Sequence, residues 1–367
     1  MKIELNQNKI FFNNGKSIEE IHPFWLRERV DGEEFLDKGT QQRLFDPSTM
    51  DAKIIIKKAE IKNGFLEVNF NDGVNSKLDI NKLETEFSNK DTVIKSIPKK
   101  KWDSALKDVK NFEYKEDFYE SKEMYDLLVS FYEYGFVIIK NVPTENNYIV
   151  KFANSIGSVR RTNFGEHFNV RSKSNPNDLA YTTLQLSPHT DNPYRNPVPC
   201  IQLLHCVENE VSGGYSTLVD GYTVTEKLKK EDPGAYKILT EVKVRFKFTD
   251  KKVILEDWSE LIHLDDEKNF KQVRFSPRLD YVPMLEKDKL DKYYKSRKKL
   301  SDMYNSEKNR IEFKLESKDL IMMDNHRVLH GRTKYDPKEG NRFLQGCYID
   351  FDSTEGRLRH LKRKFKI

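Results

Sequence analysis

The chain has 367 residues, 37% hydrophobic and 34% charged, which allows two domains, or a large one with an accessory one, and excludes an intrinsically disordered protein. Its 64 basic and 59 acidic residues leave a formal charge of +5, a mixed surface that argues against a nucleic-acid partner. Residues 1–7 lack the layout of a signal peptide and no stretch is apolar enough to span a membrane, so no membrane association and a cytoplasmic protein are expected. Cys200, Cys206 and Cys347 show no C-x-x-C spacing, which indicates neither a disulfide framework nor a zinc knot and leaves them as small core residues.

Residues 1–108 read as a β-rich accessory domain. The segments 53–61 and 65–70 flank Asn63-Gly64, a dipeptide suited to a tight hairpin, and Asn71-Asp72-Gly73 supplies a second turn before 77–80. Residues 88–104, with Pro98 and three consecutive lysines, read as the connection. A second domain, 109–367, begins with a helix over 121–134, where Met124, Leu127, Leu128 and Phe131 fall at helical spacing and Gly135 can end it before a strand at 136–140. Further strands are predicted at 201–206, 216–219, 242–248, 273–275, 320–324 and 343–351, with helices at 222–230 and 287–308 inserted. Strands spaced so widely favour a mainly β jelly-roll, or double-stranded β-helix, over an alternating parallel sheet. The polar helix near Tyr293 is a solvated face or a subunit contact, which leaves a homodimer open. The basic residues of 357–366 read as a solvated or docked terminal segment.

His189-Thr190-Asp191 places an imidazole and a carboxylate two residues apart beside Pro188 and Pro193. At a strand end both would leave one face. About half of one His-x-Asp match is expected by chance, and a histidine capping a turn is the plain alternative. Two ligands do not complete the sphere of a first-row metal, so a third is needed. His330 offers it, in a stretch that reads as a buried strand leading into a loop. His326, four residues earlier, competes with it, but the helical zinc-protease motif needs a glutamate where Arg327 stands. Twelve residues beyond His330, Arg342 opens an alternating segment that could put a guanidinium, which forks carboxylates, on the same face.

These residues, together with Trp25-Leu26-Arg27, Ala180-Tyr181-Thr182-Thr183, Gln202-Leu203-Leu204-His205-Cys206, Gly213-Gly214-Tyr215-Ser216, Val219-Asp220-Gly221, Leu329-His330-Gly331-Arg332 and Arg342-x-Leu344-x-Gly346-x-Tyr348, resemble the Fe(II)- and 2-oxoglutarate-dependent dioxygenases of the taurine dioxygenase type. Within them the resemblance is to the γ-butyrobetaine and trimethyllysine dioxygenases. It implies a double-stranded β-helix, with Fe(II) held by His189, Asp191 and His330. Arg342, with Ser216 or Thr217, would hold the distal carboxylate of 2-oxoglutarate. Dioxygen is the oxidant, ascorbate an assisting reductant, and decarboxylation to succinate is coupled to substrate hydroxylation.

The same resemblance places Phe164, Phe168, Tyr181 and Tyr348 at the aromatic cage of a trimethylammonium group. It also exposes departures. A tyrosine after the aspartate is Asn192 here, and an asparagine that helps hold the substrate's carboxylate is Asp178, which points to a different grip on the anionic end, by Arg171 or Arg278. The N-terminal domain lacks the family's zinc-binding cysteines, so no zinc is expected. γ-Butyrobetaine, giving L-carnitine, is the first candidate substrate; trimethyllysine or a trimethylaminoethyl phosphonate is the second. A non-catalytic metal- or ligand-binding barrel is the reading from another class.

Overall fold

The structure, a computed structural model, describes residues 2–87, 93–107, 109–171 and 183–367. The chain forms two compact units, Met1–Lys95 and Ser96–Ile367. Residues 96–107 group with the larger unit because Trp102 is buried in its core and donates its ring N–H to the Tyr134 carbonyl at 2.7 Å.

In the first unit, strands Lys2–Asn6, Lys9–Asn13 and Ile18–Glu20 form one sheet, and Ile56–Lys62, Phe65–Phe70 and Asn75–Asp79 another. The predicted hairpin forms, with φ of +50° at Asn63 and +81° at Gly64, as a tight two-residue turn requires. Alternation along Phe65–Phe70 buries Leu66, Val68 and Phe70 against Ile10, Phe12 and Leu26. Arg27 is also buried there, with Nε 2.6 Å from Asp72 Oδ2 and its guanidinium against Phe35 and Phe45. The first sheet carries a like signal, Asn14-Gly15 with φ +83° at Gly15, between Lys9–Asn13 and Ile18–Glu20, and the sequence reading passes over it.

The larger unit is built on two sheets. Six strands, in the order Asn111–Glu113, Phe136–Lys140, Leu320–Asp324, Ile201–Asn209, Arg342–Ile349 and His167–Val170, make the wider one; Leu186–His189, Val328–Arg332, Ser216–Asp220 and Arg310–Phe313 make the other. Phe136, Ile138, Cys206, Ile321, Met323 and Leu344 of the first pack against Leu218, Ile311 and Val328 of the second. Their inner faces follow from the two-residue period of a strand. That period puts His330 and Arg332 on the face of Val328, Ser216 on the face of Leu218, and Arg342, Gly346 and Tyr348 on the face of Leu344.

Helix Lys122–Tyr134 starts where the Ser121 hydroxyl accepts the Met124 N–H and ends at Gly135, φ +79°. A Cβ at Gly135 would lie 2.9 Å from side-chain atoms of Arg327 and Val328. Two predicted strands end differently. The segment predicted at 273–275 is a strand over Phe270–Val273, because Phe275 leaves the ladder to exchange hydrogen bonds with Thr190. The last strand stops at Ile349 and helix Phe351–Phe365 follows. This helix carries the basic tail, and it is docked: Leu358 and Leu361 are buried, and Arg357, Lys364 and His360 converge on Glu120. Lys364 foremost, with His360 and Arg357 adding to it against desolvation, holds the Glu120 carboxyl down to about 2.

Candidate active site

His189 ends the edge strand Leu186–His189, where Pro188 removes no interior ladder bond. Its antiparallel partner is His330, so pairing alone sets the two imidazoles side by side, ring centres 4.4 Å apart. Gly331 permits the approach: a Cβ there would meet the Leu186 carbonyl at 2.5 Å and Thr217 Oγ1 at 2.7 Å.

Beyond His189 the chain turns off the sheet. The Thr190 N–H donates to the Phe275 carbonyl at 2.9 Å, and Asn325, fully buried, accepts the Asp191 N–H at 2.7 Å while donating to the carbonyls of Asp191 and Pro199. Asn192 then adopts φ +51°, a conformation asparagine tolerates better than most residues, and accepts the Tyr194 hydroxyl. Asp191 Oδ1 faces both histidines, 3.3 Å from His189 Nε2 and 3.8 Å from His330 Nε2. Its Oδ2 accepts hydrogen bonds of 2.7 Å from Gln202 Nε2 and the Tyr348 hydroxyl.

One ligand atom from each of His189, Asp191 and His330 lies within 4.8 Å of the others, the one such group among the described residues. That span suits a single ion bonded at about 2.0–2.2 Å to nitrogen and oxygen, and two histidines with one carboxylate are the donor set of non-haem iron oxygenases. Burial opposes charge on Asp191, but His330, His189 and the Tyr348 hydroxyl outweigh it and hold the carboxyl below its usual range. Burial, then His189, lowers His330 to about 4, leaving it neutral and able to donate a lone pair. His326 turns elsewhere, with Nε2 3.3 Å from the Val198 carbonyl and its ring edge-on to Phe351. His205 is buried in the wide sheet outside the ligand group.

A cavity of about 80 Å³ opens beside Asp191 and His189. Of the residues singled out in the sequence it is lined by Phe164, Phe168, Asn192, Tyr348 and Arg278. Phe168 lies over Gly346, where any Cβ would come within 2.4 Å of its ring, and 5.4 Å from the Tyr348 ring centre. Tyr194 and Phe248, which the sequence reading misses, complete the aromatic part of the lining, with Phe248 stacked 5.0 Å from Tyr194 and edge-on 5.6 Å from Phe164. Nothing local marks Phe248, which comes from a strand more than fifty residues from the triad, whereas Tyr194 follows Asp191 by three positions. Tyr181 and Asp178 lie outside the described residues.

Arg171 lines a different cavity of about 190 Å³ with Arg342, Tyr335 and Phe343, its guanidinium 3.5 Å from the Phe343 ring centre. Arg342 is buried, donates to the Gly214 carbonyl at 3.3 Å, and keeps an Nε with no partner. Burial and the nearby Arg332 lower it to about 10, still a cation at neutral pH. Ser216 shares the inner face with Arg332, its cross-strand neighbour, whereas Thr217 faces Gly331 on the opposite side. The larger cleft of about 660 Å³ belongs to the first unit and is lined by groups such as Arg29, Asp31, Arg43 and Lys82.

Residues 99–348 match the family described as taurine catabolism dioxygenase TauD, TfdA. The chain is 34% identical over 236 residues to γ-butyrobetaine dioxygenase of Pseudomonas sp. (strain AK-1), covering 64% of this chain and 62% of that one. It is 34% identical over 247 residues to γ-butyrobetaine dioxygenase of Homo sapiens, covering 65% and 63%, and 26% identical over 350 residues to mitochondrial trimethyllysine dioxygenase of Mus musculus, covering 90% and 80%. The matched region thus spans less than two thirds of the length of the two γ-butyrobetaine dioxygenases. No described helix is long and apolar enough to cross a membrane. With the family match extending over more than half of its length, the chain belongs to the TauD/TfdA dioxygenase family.

Proposed function

We propose that this protein is an Fe(II)- and 2-oxoglutarate-dependent hydroxylase of a small trimethylammonium acid, with γ-butyrobetaine the leading candidate. The observation that carries the reading is the facial group His189, Asp191 and His330 set against a cavity with five aromatic walls and one exposed arginine. Trimethyllysine or a trimethylaminoethyl phosphonate keeps the mechanism and changes the acid, and the similarity to trimethyllysine dioxygenases keeps the former in view.

Bound Fe(II), with 2-oxoglutarate and dioxygen, supplies the oxidising chemistry. The residues of this chain do the rest. His189, Asp191 and His330 would hold the metal, each through one atom, a donor set that leaves positions for 2-oxoglutarate and dioxygen. Arg342, on the same inner face, forks the distal carboxylate of 2-oxoglutarate, and the Ser216 hydroxyl adds a hydrogen bond. Phe164, Phe168, Tyr194, Phe248 and Tyr348 surround the trimethylammonium group with ring faces and exclude water. Arg278 serves the acid end: it shares the cavity with Asp191, while Arg171 belongs with Arg342. The fold that presents these groups is a double-stranded β-helix, a reading supported by the two packed sheets, antiparallel except where Asn111–Glu113 joins Phe136–Lys140.

The test is a screen of trimethylammonium acids with iron, ascorbate and 2-oxoglutarate, read by mass spectrometry for succinate and a substrate gaining one oxygen. His189→Ala and Asp191→Ala should abolish both signals. Loss of a direct ligand should cost more than the roughly 10–100-fold in metal affinity typical of an outer partner. Absence of iron-dependent succinate release with every acid would favour the non-catalytic barrel, and succinate release that survives chelation would overturn the iron reading.

A further inference from the structure

The carboxylate of Asp191 is not free to choose how it meets a metal. Oδ2 already accepts two hydrogen bonds of 2.7 Å, from Gln202 Nε2 and the Tyr348 hydroxyl, while Oδ1 is the atom that faces His189 and His330. Gln202 and Tyr348 are direct cross-strand neighbours in the wide sheet, about 5 Å apart at the backbone as such pairs are, so the two donors arrive together from one rigid ladder. Both are buried, 2% and 4% exposed. The Tyr348 ring also packs against Phe168, and the strand of Gln202 is held on both sides, by those that carry Met323 and Tyr348.

We propose that Gln202 and Tyr348 are positioning residues that restrict Asp191 to one coordinating oxygen, and that Tyr348, whose ring also walls the substrate cavity, ties occupancy of that cavity to the geometry of the metal site. The inference rests on the metal-site reading above. A carboxylate released from its two donors can rotate to offer both oxygens and so take a position that a co-substrate needs. With both donors in place, one oxygen is occupied by hydrogen bonds and the other is aimed between the imidazoles. Outer partners of this kind commonly change metal affinity by about 10–100-fold when removed.

The test uses the full chain and Co(II), whose visible bands report coordination number. Tyr348→Phe keeps the ring and removes only the hydroxyl; Gln202→Met keeps the length and removes the donor. Each should weaken Co(II) binding about ten-fold or more and alter the intensity of the visible bands, with the melting midpoint of the metal-free protein within a few degrees of the parent. Addition of γ-butyrobetaine should perturb the Co(II) spectrum of the parent more than that of Tyr348→Phe, and an equal perturbation of the two would overturn the tie between cavity and metal site. Parent-like affinity and bands in both variants would overturn the proposal. So would an affinity that falls only in step with the metal-free melting midpoint while the bands stay those of the parent, since that is what a purely structural role gives. If instead Co(II) does not bind the parent at the Asp191 group at all, as judged by Asp191→Ala binding equally well, the metal-site reading itself fails.

Discussion

Two buried arginines of the larger unit, Arg327 and Arg342, show how differently a protein can treat the same side chain. Arg327, 2% exposed, forks Asp220 through bonds of 2.9 and 3.1 Å and gives its remaining donors to the carbonyls of Glu133 and Lys100 at 2.8 and 2.5 Å. Asp220 is shared further, with the Thr223 hydroxyl and the N–H of Tyr222 that it caps. This is a staple. It ties the strand Ser216–Asp220, the helix after it and the segment leading to His330 into one block. Arg342, 9% exposed, has a single long bond to a carbonyl, the Tyr335 ring 5.4 Å away and an Nε with no partner; it forms no ion pair among the described residues. Gly214, φ +68°, keeps the space beside it, since a Cβ would lie 2.8 Å from that Nε. Burying a cation without its counter-charge is unfavourable. The contrast teaches that the paired arginine serves stability, and that the other, on the function proposed above, would be compensated by the carboxylate of 2-oxoglutarate.

The sharpest way to break the comparison is to remove the partner of the staple. Asp220→Ala leaves Arg327 charged and buried without its carboxylate and should cost about 3–5 kcal/mol of stability, read as a shift in the urea midpoint. Arg342→Met should cost less than about 1 kcal/mol, because a desolvated cation is exchanged for a side chain of similar length. Equal losses in the two variants would mean that Arg342 is a structural staple as well.

Function should invert that order. Arg342→Met should weaken 2-oxoglutarate by roughly 2–5 kcal/mol, the usual cost of truncating one member of a buried charged pair, seen as a rise in the concentration needed for half-maximal succinate release. In the parent, 2-oxoglutarate with Co(II) should also raise the melting midpoint, as any ligand of the native state does, and that increment should vanish in the variant. A parent-like response would assign the distal carboxylate to another cation, Arg332 being the neighbour to examine.

Much of the metal corner is legible in the sequence because its signals are local. His189-Thr190-Asp191 and His330 are found by residue type taken together with the resemblance, and the face shared by Arg342, Leu344, Gly346 and Tyr348 follows from strand period alone. Helix Lys122–Tyr134 is readable from its serine cap, its apolar spacing and its terminal glycine. What is not legible is what holds these groups in place. Asn325 clamps Asp191 from 134 positions away and Tyr348 from 157, and no pattern of neighbours announces a hydrogen bond across such a distance. The cavity is similar. Phe164 and Phe168 come from the resemblance, whereas Tyr194 and Phe248 look like ordinary core until the strand Val244–Thr249, inserted in the chain between Ser216–Asp220 and Arg310–Phe313, brings Phe248 onto Tyr194. The end of the strand Phe270–Val273 is set by Thr190, an atom pair the sequence of that strand does not contain.

The smallest expected effect concerns the substrate's charged end, and it decides whether the aromatic walls recognise charge or only shape. A trimethylammonium group cannot donate a hydrogen bond, and each ring face it meets contributes about 0.5–2 kcal/mol depending on how well water is excluded. Tyr348 is an awkward probe, because its hydroxyl holds Asp191 and truncation would disturb the metal corner as well. Phe168 and Phe248 carry no such bond, so Phe168→Leu and Phe248→Leu remove a quadrupole while keeping apolar bulk. Each should raise KM for the trimethylammonium substrate more than for its neutral tert-butyl analogue, by a factor of about 2–30, with the melting midpoint serving as the control for packing. The two analogues share size and apolar area, so hydrophobic losses cancel in the ratio and the cation–π contribution remains. If both compounds lose equally, the cavity reads volume and the quaternary-ammonium assignment falls, while the assignment of the metal ligands and of Arg342 stands on its own tests.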